Sequence, residues 1–331
     1  MATVRTLAHA RAPQRRAIDA GVADWYARRR YRAGQFDLDR LRAAKAGIGV
    51  TVIIPTKDCG ATIAEVIGRT VAPLADRGLV DALVVVDAAS EDGTAERAAA
   101  AGARALQQDE LCPELGPAAG KGDAMWRALQ VTGGEVVCFL DGDTIDPRPE
   151  HLQGLLGPLL TDDWLHLVKG AFERPMDTGR VTLPHEGGRV TELMARPLLN
   201  YHVPALAGFA QPLAGEFSAR RELLEEIAFP VGYGVEIAVL IEAYRRRGLD
   251  ALAECHLGTR QNRHQPLRAL GEMAYAVLAA VQVRLSGVQP HADAIGRYVR
   301  PWEDAAIATV AVGERPPIGA GRADAAPAEA V

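Results

Sequence analysis

The 331-residue sequence predicts an α/β fold, a Rossmann-like sheet continued by a mixed half, and three observations carry that reading. From residue 49 onward apolar runs alternate with helix-forming segments, which is the sequence form of βαβ units around a parallel sheet. The runs are apolar along nearly their whole length, as expected of strands covered by helices on both faces. One of them ends in an acidic pair, Asp141-Gly142-Asp143.

Taken in order, the predicted strands of the first half run from Val50 to Ile54, Ala82 to Val86, and Glu135 to Leu140. Helices are expected from Ala61 to Val71 and from Thr94 to Ala101, the second opened by the turn Ser90-Glu91-Asp92-Gly93. The first strands then end in loops at 55–60 and 87–93, on the edge where open α/β sheets bind ligands. Beyond residue 150 a strand is expected from Leu165 to Lys169 and a turn at Gly187-Gly188. Helices follow from Arg189 to Leu199, Arg220 to Ile227, Val235 to Gly248 and Pro266 to Leu285. The chain divides into an N-terminal extension (1–48), a first half of the domain (49–150), a second half with C-terminal helices (151–312), and an Ala-, Pro- and Gly-rich tail expected to be disordered (313–331). In the extension, Asp37 to Lys45 reads as a helix and Trp25-Tyr26 as an aromatic dock, while Arg28-Arg29-Arg30 is too short a basic run to be more than a solvated helix face.

With 48% apolar residues the chain can bury a large core, and its net charge of -5 gives no general attraction to polyanions, so no nucleic-acid partner is expected. Four cysteines lack CxxC spacing, and Cys138 sits inside an apolar strand, which fits reduced thiols. No stretch reaches the roughly 18 apolar residues of a membrane span and no apolar signal core opens the chain, so no membrane partner and a cytoplasmic location are expected.

Two carboxylates at i and i+2 on a buried strand end repel each other unless a cation or strong donors sit between them, so Asp141 and Asp143 point to a hard divalent ion, Mg2+ or Mn2+. In Gly116-Pro117-Ala118-Ala119-Gly120-Lys121-Gly122, glycines let the backbone approach a ligand, and a lysine at a helix start suits a phosphate. It is not a Walker loop, because Gly122 stands where Ser or Thr would hold magnesium. Gly187-Gly188-Arg189-Val190-Thr191 reads as an anion site for an acidic ligand. Gly232-Tyr233-Gly234-Val235-Glu236 turns the chain and aims Glu236 above the sheet. In Thr259-Arg260-Gln261-Asn262-Arg263-His264, the arginines could serve a phosphate and His264 a metal.

These motifs together resemble the retaining glucosyl-3-phosphoglycerate synthases of actinobacteria, family 81 of the glycosyltransferases, from about Lys45 to Leu285. The likeness rests on Gly120-Lys121-Gly122, Asp141-Gly142-Asp143, Gly187-Gly188-Arg189-Val190-Thr191-Glu192-Leu193, Ala195-Arg196-Pro197-Leu198-Leu199, Gln211-Pro212-Leu213-Ala214-Gly215-Glu216 and Gly232-Tyr233-Gly234-Val235-Glu236. It implies a GT-A fold and transfer of glucose from UDP-glucose or GDP-glucose to 3-phosphoglycerate with retention, by a homodimer. By position it implies that Pro55, Thr56, Lys57, Asp58, Asp87 and Ala88 border the nucleoside, with Lys121 and Asp141 on the diphosphate. Asp143 binds the metal together with Asp141; Gly188, Arg189, Thr191, Asn262 and Arg260 hold the acceptor; Glu236 lies at the reacting centre with Lys121. Two positions depart from the family pattern. Pro55-Thr56-Lys57-Asp58 replaces the usual Asn-Glu pair after the first strand. The metal-binding His falls at Asn262 with His264 two positions on, so either His264 reaches the ion or Asn262 supplies an oxygen. A paralogous transferase with another small acceptor, a sugar-nucleotide nucleotidyltransferase and a non-catalytic nucleotide-binding relative are the competing readings.

Overall fold

The computed structural model describes residues 20–177, 182–183, 187–260, 266–300 and 306–319. Its centre is an eight-stranded sheet of β1 (Arg30–Arg32), β2 (Val50–Thr56), β3 (Ala82–Asp87), β4 (Arg104–Gln107), β5 (Val136–Phe139), β6 (Leu167–Glu173), β7 (Phe217–Arg220) and β8 (Leu252–Thr259). The spatial order is β1-β8-β6-β7-β5-β2-β3-β4. Every neighbouring pair is parallel except those made by β7, which runs antiparallel to both β5 and β6. The predicted α/β sheet with a mixed second half is thus the observed one, and one reversed strand supplies the mixing.

Alternate residues of the strands feed two cores. Ile53, Val137, Phe139, Leu167 and Phe217 pack on one face, under the helices Lys121–Val131 and Val235–Arg247. Val52, Ile54, Cys138 and Val168 pack on the other, against Pro149–Thr161. Burial on both faces explains why these strands carry no polar alternation.

Several elements depart from expectation. The first strand continues to Thr56, so Pro55 and Thr56 belong to the sheet rather than to a loop. Of the helix expected from Arg220 to Ile227, Arg220 is the last residue of strand β7, and only Arg221–Glu225 is helical. Leu267–Ala269 is a 3-10 turn, and the long helix that follows is Leu270–Ser286. β1, β4, β8, the helix Pro149–Thr161 and a hairpin of Ile295–Arg300 with Ala306–Ala311 had no clear sequence signal.

The extension docks as its aromatics suggested. Trp25 is buried against Phe209 and donates its indole N–H to Leu252 O at 2.8 Å, and Asp37 caps the helix Leu38–Lys45 through Arg40 N–H. Arg28, Arg29 and Arg30 are not a plain solvated face: they pair with Asp24 and Asp250, with Asp162, and with the buried Glu254. The tail expected to be disordered from residue 313 begins as ordered chain. Glu314–Arg315 pairs with Phe229–Pro230, and Ile318 enters the core. Arg315 makes two hydrogen bonds of 2.8 and 2.9 Å to the buried carboxylate of Asp123. Residues 320–331 and 1–19 lie outside the described residues. Among the described residues no helix is long and apolar enough to cross a membrane.

Candidate active site

Two cavities open over the C-terminal ends of the strands and meet at one cluster of charges. The larger, about 760 Å³, is lined by Pro55, Thr56, Lys57 and Ala88 at one end and by Ala119, Gly120 and Lys121 further along. The smaller, about 290 Å³, is lined by Arg174, Gly188, Arg189, Thr191 and Glu236. Lys121, Asp141, Asp143 and Tyr233 border both.

Lys121 occupies that junction for a steric reason. A side chain at Gly122 would collide with the carbonyl oxygen of Pro230, and one at Gly120 would come within 2.9 Å of Val231 O. Gly120 also has φ +144°, which non-glycine residues rarely adopt. The two glycines let the backbone of 230–232 lie directly against the start of the Lys121 helix, a packing of chain on chain that the sequence did not announce, while Gly120 also lines the larger cavity. The Asp123 N–H is likewise spent on Val231 O at 3.0 Å. The charge that the loop presents to the cavity is that of the lysine.

The Lys121 ammonium lies 3.1 Å from Asp141 Oδ1 and 2.9 Å from Glu236 Oε1. Burial works against this ammonium, but the carboxylates of Asp141 and then Glu236 outweigh it and raise its pKa above the ordinary lysine value. Burial also opposes the Asp141 charge, and Lys121 overcomes it to hold that pKa low. Asp143 shows the reverse balance: burial and then the neighbouring Asp141 charge push its pKa up.

The turn carrying the two acids is fixed from several sides. Thr62 donates to Gly142 O at 2.7 Å, and a side chain at Gly142 would come within 2.7 Å of the Thr56 methyl. Thr144 bridges to Glu216 at 3.3 Å, and Glu216 accepts from Arg260 at 3.0 Å. Two acids at a strand end, one of them with its pKa pushed up by burial and by the charge of the other, are a donor set that fits a hard divalent cation. Among the described residues no third His, Cys, Asp or Glu joins them. Asn262 and His264, expected to complete the set or hold an acceptor, lie outside the described residues.

Not every expected residue faces a cavity. Asp87 is buried, with its oxygens accepting from the Thr56 hydroxyl at 3.0 Å and from the Ser90 N–H and hydroxyl at 2.9 and 2.7 Å. It ties the ends of β2 and β3 together rather than facing a ligand. Asp58 has φ +53°, donates its N–H to Ser90 Oγ, and does not line either cavity. Arg260 is 2% exposed, and its guanidinium is taken by Glu216 with His151 Nε2 at 3.0 Å. The structure therefore gives it a buried structural bond where the sequence suggested a phosphate ligand.

Comparison with known proteins bears on what this arrangement does. The glycosyl transferase family 2 model matches residues 51–218, the span holding the acidic turn and Lys121. A glucosyl-3-phosphoglycerate synthase from Mycolicibacterium paratuberculosis is 42% identical over 304 residues, covering 89% of this chain and 92% of the relative. The Mycobacterium tuberculosis protein of the same name is 46% identical over 250 residues, covering 75% and 76%.

The chain belongs to the glucosyl-3-phosphoglycerate synthase family.

Among solved structures, the glucosyl-3-phosphoglycerate synthase of M. tuberculosis in complex with Mn2+, UDP-glucose and phosphoglyceric acid matches with a TM-score of 0.77 at 40% identity, covering 87% of this chain and 96% of that one. The mannosyl-3-phosphoglycerate synthase of Rubrobacter xylanophilus matches at 0.78 and 41%, covering 90% and 99%. The fold of this glucosyl-3-phosphoglycerate synthase family member is GT-A. Sequence reasoning missed Arg174, Tyr233 as a wall of both cavities, and Cys59 and Arg300 in the larger one. Arg174 had a usable signal, since extending the Leu165 to Lys169 strand through Gly170-Ala171-Phe172-Glu173 places it at the ligand edge of the sheet. Arg300 had none, because it arrives on a hairpin more than a hundred residues after the sheet edge it joins.

Proposed function

We propose that the protein transfers glucose, with retention, from UDP-glucose to 3-phosphoglycerate, the reaction named for its mycobacterial relatives. The observation that carries this reading is the Lys121 ammonium held between Asp141 and Glu236 where the two cavities meet. A donor in the larger cavity, bordered by Pro55, Thr56, Lys57 and Ala88, would bring its diphosphate to Lys121. An acceptor in the smaller one would meet Arg174, Arg189 and Thr191, a cationic wall suited to a phosphate and a carboxylate.

Asp141 and Asp143 would hold Mg2+ or Mn2+, which supplies Lewis-acid neutralisation of a departing diphosphate. Lys121 adds a pre-oriented positive charge where that negative charge grows, and it pays no reorganisation when the bond breaks. Glu236, 5% exposed and tied to Lys121, fixes the ammonium's direction and lies beside the reacting centre. The two cavities share one small cluster of side chains, and among the described residues the carboxylates that line the smaller cavity with Glu236 are Asp141 and Asp143, the pair assigned to the metal. That supports same-face transfer, in which the leaving phosphate accepts the proton of the attacking hydroxyl.

The Rubrobacter structure favours a second reading, a mannosyl donor with the same acceptor. Incubation of the purified protein and Mn2+ with UDP-glucose, GDP-glucose or GDP-mannose, each with 3-phosphoglycerate, separates the two by product mass and by anomeric NMR. Exclusive transfer from GDP-mannose sinks the glucosyl reading; transfer to other acceptors but not to 3-phosphoglycerate sinks both. We further propose a cytoplasmic homodimer. The exposed Val288, Ile295 and Val299 after the Leu270–Ser286 helix support a subunit surface there, and sedimentation equilibrium tests it.

A further inference from the structure

Lys169, in the middle of β6, has no role in the scheme above, yet it is fully buried. Its side chain points to the same sheet face as Leu167 and Phe217, with the Phe217 ring centre 4.8 Å from Nζ. Among the described residues no carboxylate comes within 4.0 Å of it. An ammonium taken out of water without a paired anion is costly, and an apolar side chain of the same length would pack there without that cost. Burial pulls its pKa down to about 7, with the more distant Glu236 charge opposing.

The one acceptor given to this ammonium is the carbonyl oxygen of Ala214, at 2.5 Å. The next residue of the same strand holds the other end of that segment, since the Gly170 N–H donates to Glu216 O at 2.9 Å. Between those two anchors lies Gly215. A side chain there would collide with the Asp141 carboxylate and come within 2.6 Å of Lys121 Nζ. The backbone at 214–215 is therefore the surface against which the Lys121–Asp141 pair rests. A small shift of that segment moves the pair.

We infer that Lys169 is a positioning residue for sugar transfer: by fixing the Ala214 carbonyl it holds the Ala214–Gly215 backbone in place beneath Lys121 and Asp141. The inference rests on the proposed transferase function, and the wild-type enzyme run in parallel separates the two, since absence of any wild-type transfer defeats the function itself. Misplacement by about 1 Å of groups that orient a reaction can cost roughly a hundredfold in rate.

The test is Lys169→Met and Lys169→Gln, with kcat and both KM values measured for UDP-glucose and 3-phosphoglycerate, and thermal unfolding followed alongside. Lys169→Met keeps the length without the donor; it is expected to fold and to lose about 10- to 100-fold in kcat, with both KM values within threefold. Lys169→Gln keeps an N–H donor, slightly short, and is expected to recover part of that kcat. A folded Lys169→Met with kcat within threefold of wild type overturns the inference, and so does a loss confined to KM. Should Lys169→Met not fold, Lys169→Gln decides alone, with kcat within threefold of wild type overturning the inference and a larger fall at unchanged KM supporting it.

Discussion

Replacing Lys121 with Met removes one charge and keeps the length of the side chain, so its consequences can be worked from the geometry. The ammonium faces Glu236 at 2.9 Å and Asp141 at 3.1 Å, and without it Asp141, Glu236 and Asp143 are left with only the more distant charges of Arg174 and Arg189 in the same cavity. Loss of one pre-oriented group that meets growing negative charge typically costs about 2.7–4 kcal/mol, or roughly 100- to 1000-fold in kcat. The folding cost is smaller. The Lys121 and Asp141 side chains are 24% and 26% exposed, so water screens part of that attraction, while Glu236 is only 6% exposed and loses its cation as well, and about 2–3 kcal/mol is expected, below the roughly 3–5 kcal/mol of breaking a fully buried pair. Steady-state assays with UDP-glucose, Mn2+ and 3-phosphoglycerate, paired with urea unfolding, read both quantities. A fall in kcat of at least 50-fold with the fold intact is the expected result. A Lys121→Met enzyme within threefold of wild-type kcat would refute the argument that this ammonium answers the leaving group.

Other predictions follow from neighbouring contacts. Asp143→Asn should abolish metal-dependent binding of UDP in calorimetry, because an amide offers the cation no charge. Arg189→Met should raise the KM for 3-phosphoglycerate about 10- to 100-fold and leave donor binding unchanged, the loss of one charge-assisted contact of about 1.5–3 kcal/mol. Arg315→Met should cost about 1.5–3 kcal/mol in urea unfolding, because it removes two charge-assisted hydrogen bonds to the fully buried Asp123, which keeps Arg127 as its remaining cation. Burial and then the Arg260 charge push the His151 pKa down to about 3. Below pH ~6.5 the unfolded chain takes up a proton there that the folded chain refuses, so stability falls as pH drops from about 6.5 toward 3. The His151 share of the loss between pH 7 and pH 5 is about 2 kcal/mol, and the pH dependence should shrink by about that amount in His151→Leu, with His166, whose pKa burial also lowers, keeping its own part.

Much of this was legible in the residues, and what was not has physical causes. β2, β3 and β5 announced themselves because helices cover both of their faces, and Asp141 and Asp143 stood out because acids rarely end such a strand. Lys121 was found for an incomplete reason: Gly120 lines the larger cavity, as expected, but Gly120 and Gly122 also admit the 230–232 backbone, which no local pattern showed. β8 was hidden by Glu254, a buried acid that makes the run look polar until Arg30 and the Ala210 N–H are seen to satisfy it. β7 is four residues long, and its last residue Arg220 is followed by Arg221-Glu222-Leu223, so that it reads as a helix start. The ordered stretch at 314–318 depends on Asp123, 192 positions away from Arg315, and local composition carries no trace of such a bond. Arg260 looked like a ligand because a polar loop follows it, and only the fold reveals that Glu216 takes its guanidinium.

The most direct measurement is the anomeric 1H NMR spectrum of the product formed from UDP-glucose and 3-phosphoglycerate with Mn2+, by the wild-type protein and by Asp143→Asn. The account predicts an α-linked glucosyl-3-phosphoglycerate from the first and none from the second. A β-linked product, or equal turnover by the two proteins, would contradict it.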